Sequence, residues 1–329
     1  MQTLYIKTYD NNSENLISKI KRKFNILKVT NNDNIVICDI PYSEKINEKK
    51  LRKISKKICK KFFKDFQKKD YKRKIVQIPK LESNYFINKI VFSRKLQNEN
   101  ILNEEISKYN VEILNGRWLF KYLIIKILEY ICDKQNTLLE EKNVSILIND
   151  NNEINLNLLM LIAQKVKRLS IITNNISKFK YIEEKLYNEY GIAIEISNNK
   201  RKSLLKTDII VNIDFEEELL NKYKINNKSI LININKNNGI YSKIFNGINI
   251  NYYNIKYRDI DIFSQNNLYN YFDSAILYES YIYRKDNLNN ILQQINKDKV
   301  EIIDVIGNKG KINYKEFTIN LLDKFEKLS

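Results

Sequence analysis

The sequence predicts an α/β protein: a doubly wound parallel sheet with a small basic α+β domain ahead of it. Three observations carry this. Five short apolar, β-branched runs recur between residues 142 and 235: Val144–Ile148, Leu169–Ile172, Ile192–Ile196, Asp208–Ile213 and Ser229–Ile234. Helix-length segments separate most of them, as expected of buried parallel strands joined by helices. The charge is also uneven. Residues 1–80 hold 22 Lys and Arg against 8 Asp and Glu, and the remaining 249 hold 35 against 31, which marks off an N-terminal unit.

The N-terminal unit opens with a strand-like run, Leu4–Tyr9. A helical pattern follows, with Leu16, Ile17, Ile20 and Phe24 apolar and Ser13 as its cap. Asn34–Ile40 reads as a second strand, closed by Pro41. A long helix is then predicted from about Asn47 to Lys68, because Leu51, Ile54, Ile58, Phe62 and Phe66 fall at spacings of three and four. Lys74–Ile78 is a third strand candidate, ended by Pro79. Phe86, Ile87, Ile90, Val91 and Leu96 suit a bridging helix. Asn115-Gly116-Arg117 is a turn leading into a buried connector helix, Trp118–Asp133.

The expected divisions are 1–112 for the basic domain, 113–141 for the connector, 142–255 for the parallel-sheet domain and 256–329 for a C-terminal extension. That extension contains a tyrosine-rich helix over 268–284, a helix Leu288–Asn296, a strand Val300–Ile306 and a last helix Tyr314–Lys327. Gly307-Asn308-Lys309-Gly310 is a turn signal and lacks the spacing of a phosphate loop. Within the tyrosine-rich helix, Tyr278 and Ile282 read as core.

Composition excludes several kinds of chemistry. The chain has 329 residues and no histidine, which removes histidine-based metal sites, Ser-His-Asp triads and Cys-His pairs. Cys38, Cys59 and Cys132 are widely spaced and odd in number, so they read as small buried thiols rather than a disulfide framework. No metal site is expected. No apolar run approaches the roughly 20 residues of a membrane helix, and the first residues lack a signal-peptide pattern, so a cytoplasmic location is expected. The abundance of Asn, Lys, Ile and Tyr beside 6 glycines and 2 prolines matches an AT-rich coding sequence, which weakens any argument from lysine content alone.

Ser203-Leu204-Leu205-Lys206-Thr207-Asp208-Ile209-Ile210-Val211-Asn212-Ile213 resembles the fourth-strand segment of the NAD(P)-binding domain in the shikimate dehydrogenase and glutamyl-tRNA reductase group. The resemblance covers about residues 142–255, rests on the strand and helix pattern, and implies a Rossmann-like domain. It also implies a cofactor crevice at the carboxyl ends of the strands, to which a C-terminal helix returns, so that Glu279 in the tyrosine-rich helix would face a ligand. The ligand crevice candidates there are Asn149, Asp150, Asn174, Ser177, Lys178, Asn212, Asp214 and Asn235, with Arg117 as a further anion-binding candidate.

The residues themselves oppose a standard cofactor grip. The turn after the first strand, Asn149-Asp150-Asn151-Asn152-Glu153, has no glycine, although close backbone approach to a pyrophosphate depends on glycine. Asp150 and Glu153 are expected to cap the following helix and repel a phosphate. No acidic residue follows Thr173-Asn174-Asn175 to hold an NAD ribose. Ser177 and Lys178 would suit the 2′-phosphate of NADP, whereas their bland reading is a helix cap and a solvated lysine. No cofactor is therefore expected, with NADP the one to consider.

Residues 49–74 carry 14 Lys and Arg against two acids. Lys53, Lys56, Lys57, Lys60, Lys61 and Lys64 share the side of the long helix opposite its apolar stripe, a face able to meet nucleic acid or an acidic protein surface. The sequence thus points to a non-catalytic scaffold or ligand-sensing module. An NADP-dependent oxidoreductase with an atypical loop and a nucleic-acid-associated protein stand as alternatives.

Overall fold

The computed structural model describes residues 2–9, 26–32, 35–42, 46–63, 87–234, 245, 247–283 and 287–318. The expected helix near 13–24, the strand candidate Lys74–Ile78, and residues Lys64, Phe66, Phe86 and Asn235 lie outside them.

In chain order the elements are β1 (Gln2–Thr8), β2 (Lys28–Asn32), β3 (Ile35–Ile40), α1 (Glu48–Phe62), β4 (Ile87–Phe92), α2 (Asn100–Ile106) and β5 (Glu112–Leu114). Next come α3 (Arg117–Tyr122), α4 (Ile124–Gln135), β6 (Asn143–Leu147), α5 (Glu153–Ala163), β7 (Arg168–Ile172), α6 (Ile176–Tyr190), β8 (Ile194–Ser197) and β9 (Ile209–Asn212). The rest are α7 (Glu217–Leu220), β10 (Ile230–Asn233), β11 (Ile248–Ile250), β12 (Tyr252–Lys256), α8 (Asp261–Gln265), α9 (Ser274–Ile282), α10 (Leu288–Lys297), β13 (Glu301–Gly307) and β14 (Gly310–Lys311). Residues 314–318 are helical. No helix among the described residues is long and apolar enough to cross a membrane.

The chain divides into two compact units, residues 1–116 with 259–283 and residues 117–258 with 284–329. The first is built on a five-stranded sheet of order β2-β3-β1-β4-β5, parallel except for the β2–β3 pair. One face of the sheet packs against α1, whose Leu51, Ile54, Ile58 and Phe62 are buried at the predicted spacing. Each such side chain contributes roughly 1.5–3 kcal/mol of burial. Asn47 caps α1 by accepting from the Lys50 N–H at 2.9 Å, and the exposed residues of the helix are Glu48, Lys49, Lys53, Lys56, Lys57, Lys60 and Lys61.

The segment Ile87–Phe92 is a strand rather than the expected bridging helix. It is buried on both faces, so it lacks the alternation that identifies a half-exposed strand. Residues 259–283 also depart from expectation, because they belong to the first unit instead of extending the parallel-sheet domain. Phe263, Leu268, Phe272, Ile276 and Leu277 pack with Tyr5, Ile37 and Val91 on the second face of the five-stranded sheet. The Tyr5 and Ser280 hydroxyls meet there at 2.8 Å, and Tyr278 and Ile282 are fully buried.

The second unit carries a six-stranded sheet of order β11-β10-β9-β6-β7-β8, every pair parallel. Numbered from its first strand this is 3-2-1-4-5-6, the doubly wound Rossmann order, so the unit is Rossmann-like. The five predicted runs are five of its strands, and β11 is the sixth. A smaller antiparallel sheet, β12-β13-β14, completes the unit, with Gly310 at φ 107° in the last hairpin. The three cysteines are buried and unpaired.

Candidate functional site

In an open parallel sheet a ligand settles at the carboxyl ends of the strands, where the strand order reverses. Here that point lies between β6 and β9. Two loops leave the sheet there, residues 148–152 and residues 213–216.

A single carboxylate joins the loops. Asp214 accepts the backbone N–H of Asn149 through both oxygens, at 2.7 and 3.0 Å, and that of Asp150 at 2.7 Å. The helix that follows the first loop, α5, is capped by Asn152, whose Oδ1 accepts the Asn155 N–H at 3.0 Å. This corrects the expectation that Asp150 and Glu153 provide the cap. Asp150 instead accepts the Asn152 side-chain amide at 2.6 Å, and Glu153 is an exposed first-turn residue. A carboxylate beyond hydrogen-bond reach of the terminal N–H groups loses to a neutral Asn placed at the cap itself.

The other candidates take up structural bonds around this core. The Asn149 side-chain oxygen accepts the Asn174 N–H at 2.9 Å, which ties the β6 end to the β7 end. Asn212 is fully buried. Its oxygen accepts the Phe215 N–H at 2.9 Å, and its amide donates to the Phe215 carbonyl and to Asn233 Oδ1, each at 3.0 Å. Arg117 Nη1 donates to the Asn233 carbonyl at 2.9 Å, so the guanidinium stands at the carboxyl end of β10. Ser177 and Lys178 are exposed in the first turn of α6. Ser177 is not its cap, because Asn175 occupies that position.

Electrostatics add one residue that sequence reasoning passed over. Lys121, half-buried on α3, feels the charges of Asp214 and Asp150. Burial lowers its pKa, and the two carboxylates oppose that shift. For Asp214, burial raises the carboxyl above its ordinary value. The Asp150 and Asn149 N–H groups and Lys121 pull it back, while the Asp150 charge adds to the rise. Burial also lowers the Arg117 guanidinium, with Tyr252 and Tyr253 acting the other way. No spacing in the sequence relates Lys121 to Asp214; its one signal was a charge interrupting an apolar helix.

In the first unit, Lys53, Lys56, Lys57, Lys60 and Lys61 are exposed on α1. Arg52 is held by Glu105 at 3.2 Å and Glu104 at 3.8 Å. Glu279, considered as a ligand contact, is buried and accepts the Gly116 N–H at 2.7 Å. Among the described residues no three potential metal-binding side chains cluster.

No protein-family model and no curated protein matches the chain. Among solved structures it is similar to L-tryptophan dehydrogenase from Nostoc punctiforme, at 10% identity and a TM-score of 0.32, covering 91% of this chain and 88% of that one. It is similar also to a shikimate dehydrogenase in complex with NADP+, at 9% identity and a TM-score of 0.30, covering 76% and 84%. A third is a dipicolinate synthase from Bacillus halodurans, at 8% identity and a TM-score of 0.33, covering 70% and 81%. At such scores these likenesses carry no inference about cofactor or reaction. The fold assignment rests on strand order.

Proposed function

We propose that the protein is a non-catalytic scaffold or ligand-sensing module of the cytoplasm, in which a Rossmann-like unit has side-chain bonds in place of a dinucleotide grip. The observation that supports this reading is the Asp214 carboxylate on the Asn149 and Asp150 N–H groups. A pyrophosphate in this fold is held by the loop after the first strand and by the N-terminus of the next helix. Here the protein's own carboxylate takes the loop donors and Asn152 takes the helix terminus. An incoming phosphate would have to displace Asp214 and would meet Asp150 at the rim.

Calorimetric titration of the full chain with NADPH and NADH at low-millimolar concentration tests the reading. The expected result is no saturable heat with either. Saturable binding of NADPH would overturn it in favour of an NADP-dependent oxidoreductase with an atypical loop, in which Ser177 and Lys178 would meet the 2′-phosphate.

A second reading, association with nucleic acid, is favoured by the exposed Lys53, Lys56, Lys57, Lys60 and Lys61 of α1. Such a face neutralises phosphates without reading bases, so its affinity would fall steeply with salt. Charge reversal at Lys56, Lys57, Lys60 and Lys61 would then abolish binding to single-stranded or duplex probes, and unchanged binding would dismiss it.

A further inference from the structure

One face of the six-stranded sheet changes character along its strands. Leu147 and Ile172, near the carboxyl ends of β6 and β7, and Ile210 and Leu231, on β9 and β10, pack with Leu204, Phe215, Leu220 and Tyr223. Toward the amino ends of β6, β7 and β8 the same face turns polar. Ser145, Ser170 and Glu195 stand side by side in register on β6, β7 and β8, with Asn143 beside Arg168 one step earlier. A parallel sheet normally buries an apolar face under a crossover helix. This crossover, residues 198–208 between β8 and β9, contains no helix.

The crossover is instead a series of turns built on Asn199. Its Oδ1 accepts the Arg201 and Lys202 N–H groups at 3.1 and 3.2 Å, and its carbonyl accepts the Ser203 hydroxyl at 2.6 Å. The Leu204 side chain anchors the far end in the apolar half of the sheet face. Between this polar roof and the polar strand halves lies a cavity of about 600 Å³. That volume is in the range of small-molecule sites, roughly 300–1,000 Å³.

The lining is cationic and rich in hydroxyls. Four cations, Lys167, Arg168, Lys202 and Lys206, face one carboxylate, Glu195. Lys167 is tied to Glu140 at 3.0 Å, whereas the other three have no acidic partner among the described residues. On the floor the Ser145 and Thr207 hydroxyls are joined at 2.7 Å, and the half-buried Ser170 hydroxyl lies beside them. Three uncommitted cations around one concavity attract an anion of more than one charge, and the neighbouring hydroxyls donate to its oxygens.

We propose that this cavity is a binding site for a small phosphorylated, hydroxyl-rich ligand. Arg168, Lys202 and Lys206 meet the phosphate charge, Ser170 donates to a phosphate oxygen, and Glu195 accepts from ligand hydroxyls. The site lies at the amino ends of the strands, so the inference does not depend on how the carboxyl-end crevice is filled.

The test is calorimetric titration of the full chain with fructose 1,6-bisphosphate and with inorganic pyrophosphate, in buffer near physiological salt. The expected result is saturable one-to-one binding of at least one probe. The pair Arg168→Gln and Lys206→Gln should weaken it by roughly tenfold or more. Ser170→Leu, which fills the floor and leaves every charge in place, should weaken it too. A charge-matched control, Lys222→Gln with Lys315→Gln, should bind as the parent does. Thermal melting of each variant establishes that it is folded. The proposal fails if neither probe saturates at low-millimolar concentration, if the folded double variant binds unchanged, or if the control loses as much affinity as the double variant.

Discussion

Both carboxylate oxygens of Asp214 accept the backbone N–H of Asn149, at 2.7 and 3.0 Å. The two residues stand 65 positions apart, on loops that leave adjacent strands where the strand order reverses. One side chain therefore does in this fold what a bound anion does in a dinucleotide site: it satisfies the N–H groups of the first loop. The loop needs no glycine, because its partner is a carboxylate on the protein itself and not a bulky pyrophosphate approaching the backbone.

Removing that carboxylate should cost stability. Asp214→Ala leaves the Asn149 and Asp150 N–H groups without their acceptor. Hydrogen bonds to a charged group are worth about 1.5–3 kcal/mol when enclosed, but water reaches this half-buried site, so about 1 kcal/mol is expected. Urea denaturation of the variant beside the parent measures it. A change within about 0.5 kcal/mol would mean that water replaces Asp214 without loss.

The pH dependence of that difference has a definite sign. Burial raises the folded-state pKa of Asp214 above its ordinary value. The folded protein then holds the proton more tightly than the unfolded chain does. The Asp214 contribution is accordingly most favourable below the ordinary carboxylate pKa and declines as pH rises through the raised value. The stability difference between parent and Asp214→Ala should shrink over that window, followed by urea midpoints at a series of pH values. A difference that grows with pH would show that the N–H bonds outweigh burial.

Glu105 should behave in the opposite way. It receives Lys108 at 2.9 Å and Arg52 at 3.2 Å, and these cations hold its carboxyl below the ordinary value. A depressed carboxyl contributes stability above its unfolded pKa and loses it as pH falls through the folded value. Because both cations are about half exposed, Glu105→Gln should cost only about 0.5–1 kcal/mol at neutral pH, and less as acid protonates the parent. Equal cost at neutral and acid pH would assign the loss to packing between α1 and α2.

The two faces of α1 offer a sharper contrast. Ile58→Ala should cost about 2–4 kcal/mol, because the side chain is fully enclosed between the helix and the sheet. Lys56→Gln with Lys60→Gln should change stability by no more than about 0.5 kcal/mol, since both side chains are exposed. Thermal unfolding of the two variants separates them. A large loss from the lysine pair would mean that this face is covered.

The parts of the fold that were legible are those whose signal is local. Leu51, Ile54, Ile58 and Phe62 announce α1 by period alone, and runs such as Asp208–Ile213 announce strands by length and branching. Ile87–Phe92 is not legible as a strand, because burial on both faces erases alternation and leaves a short apolar run that suits a helix equally well. The placement of 259–283 rests on contacts such as Tyr5 with Ser280, which lie 275 residues apart and leave no mark in either segment. At the candidate site, the strand ends could be listed from the pattern, but nothing near Asp214 discloses that it reaches Asn149 and Asp150. Ser145 and Ser170 sit inside runs that read simply as apolar strands, and the cavity they share follows only from the register that aligns them.

Glycine supplies a last prediction, because the chain has only 6 and uses two of them for different reasons. Gly191 ends α6 at φ 66°, and nothing lies within 4 Å of where its Cβ would be. Its requirement is conformational. Gly191→Ala should cost about 1–2 kcal/mol, and Gly191→Asn distinctly less, since Asn tolerates the left-handed region. Gly307 sits at the end of β13, where a Cβ would stand 2.6 Å from the Asn249 carbonyl oxygen. That requirement is spatial, and the obstacle is backbone. Gly307→Ala should cost about 1–3 kcal/mol, and Gly307→Asn at least as much. Melting curves of the four variants decide it: Asn should rescue position 191 relative to Ala and fail to rescue position 307. Rescue at both positions would show that β11 can shift away from β13 and that their close approach is not fixed.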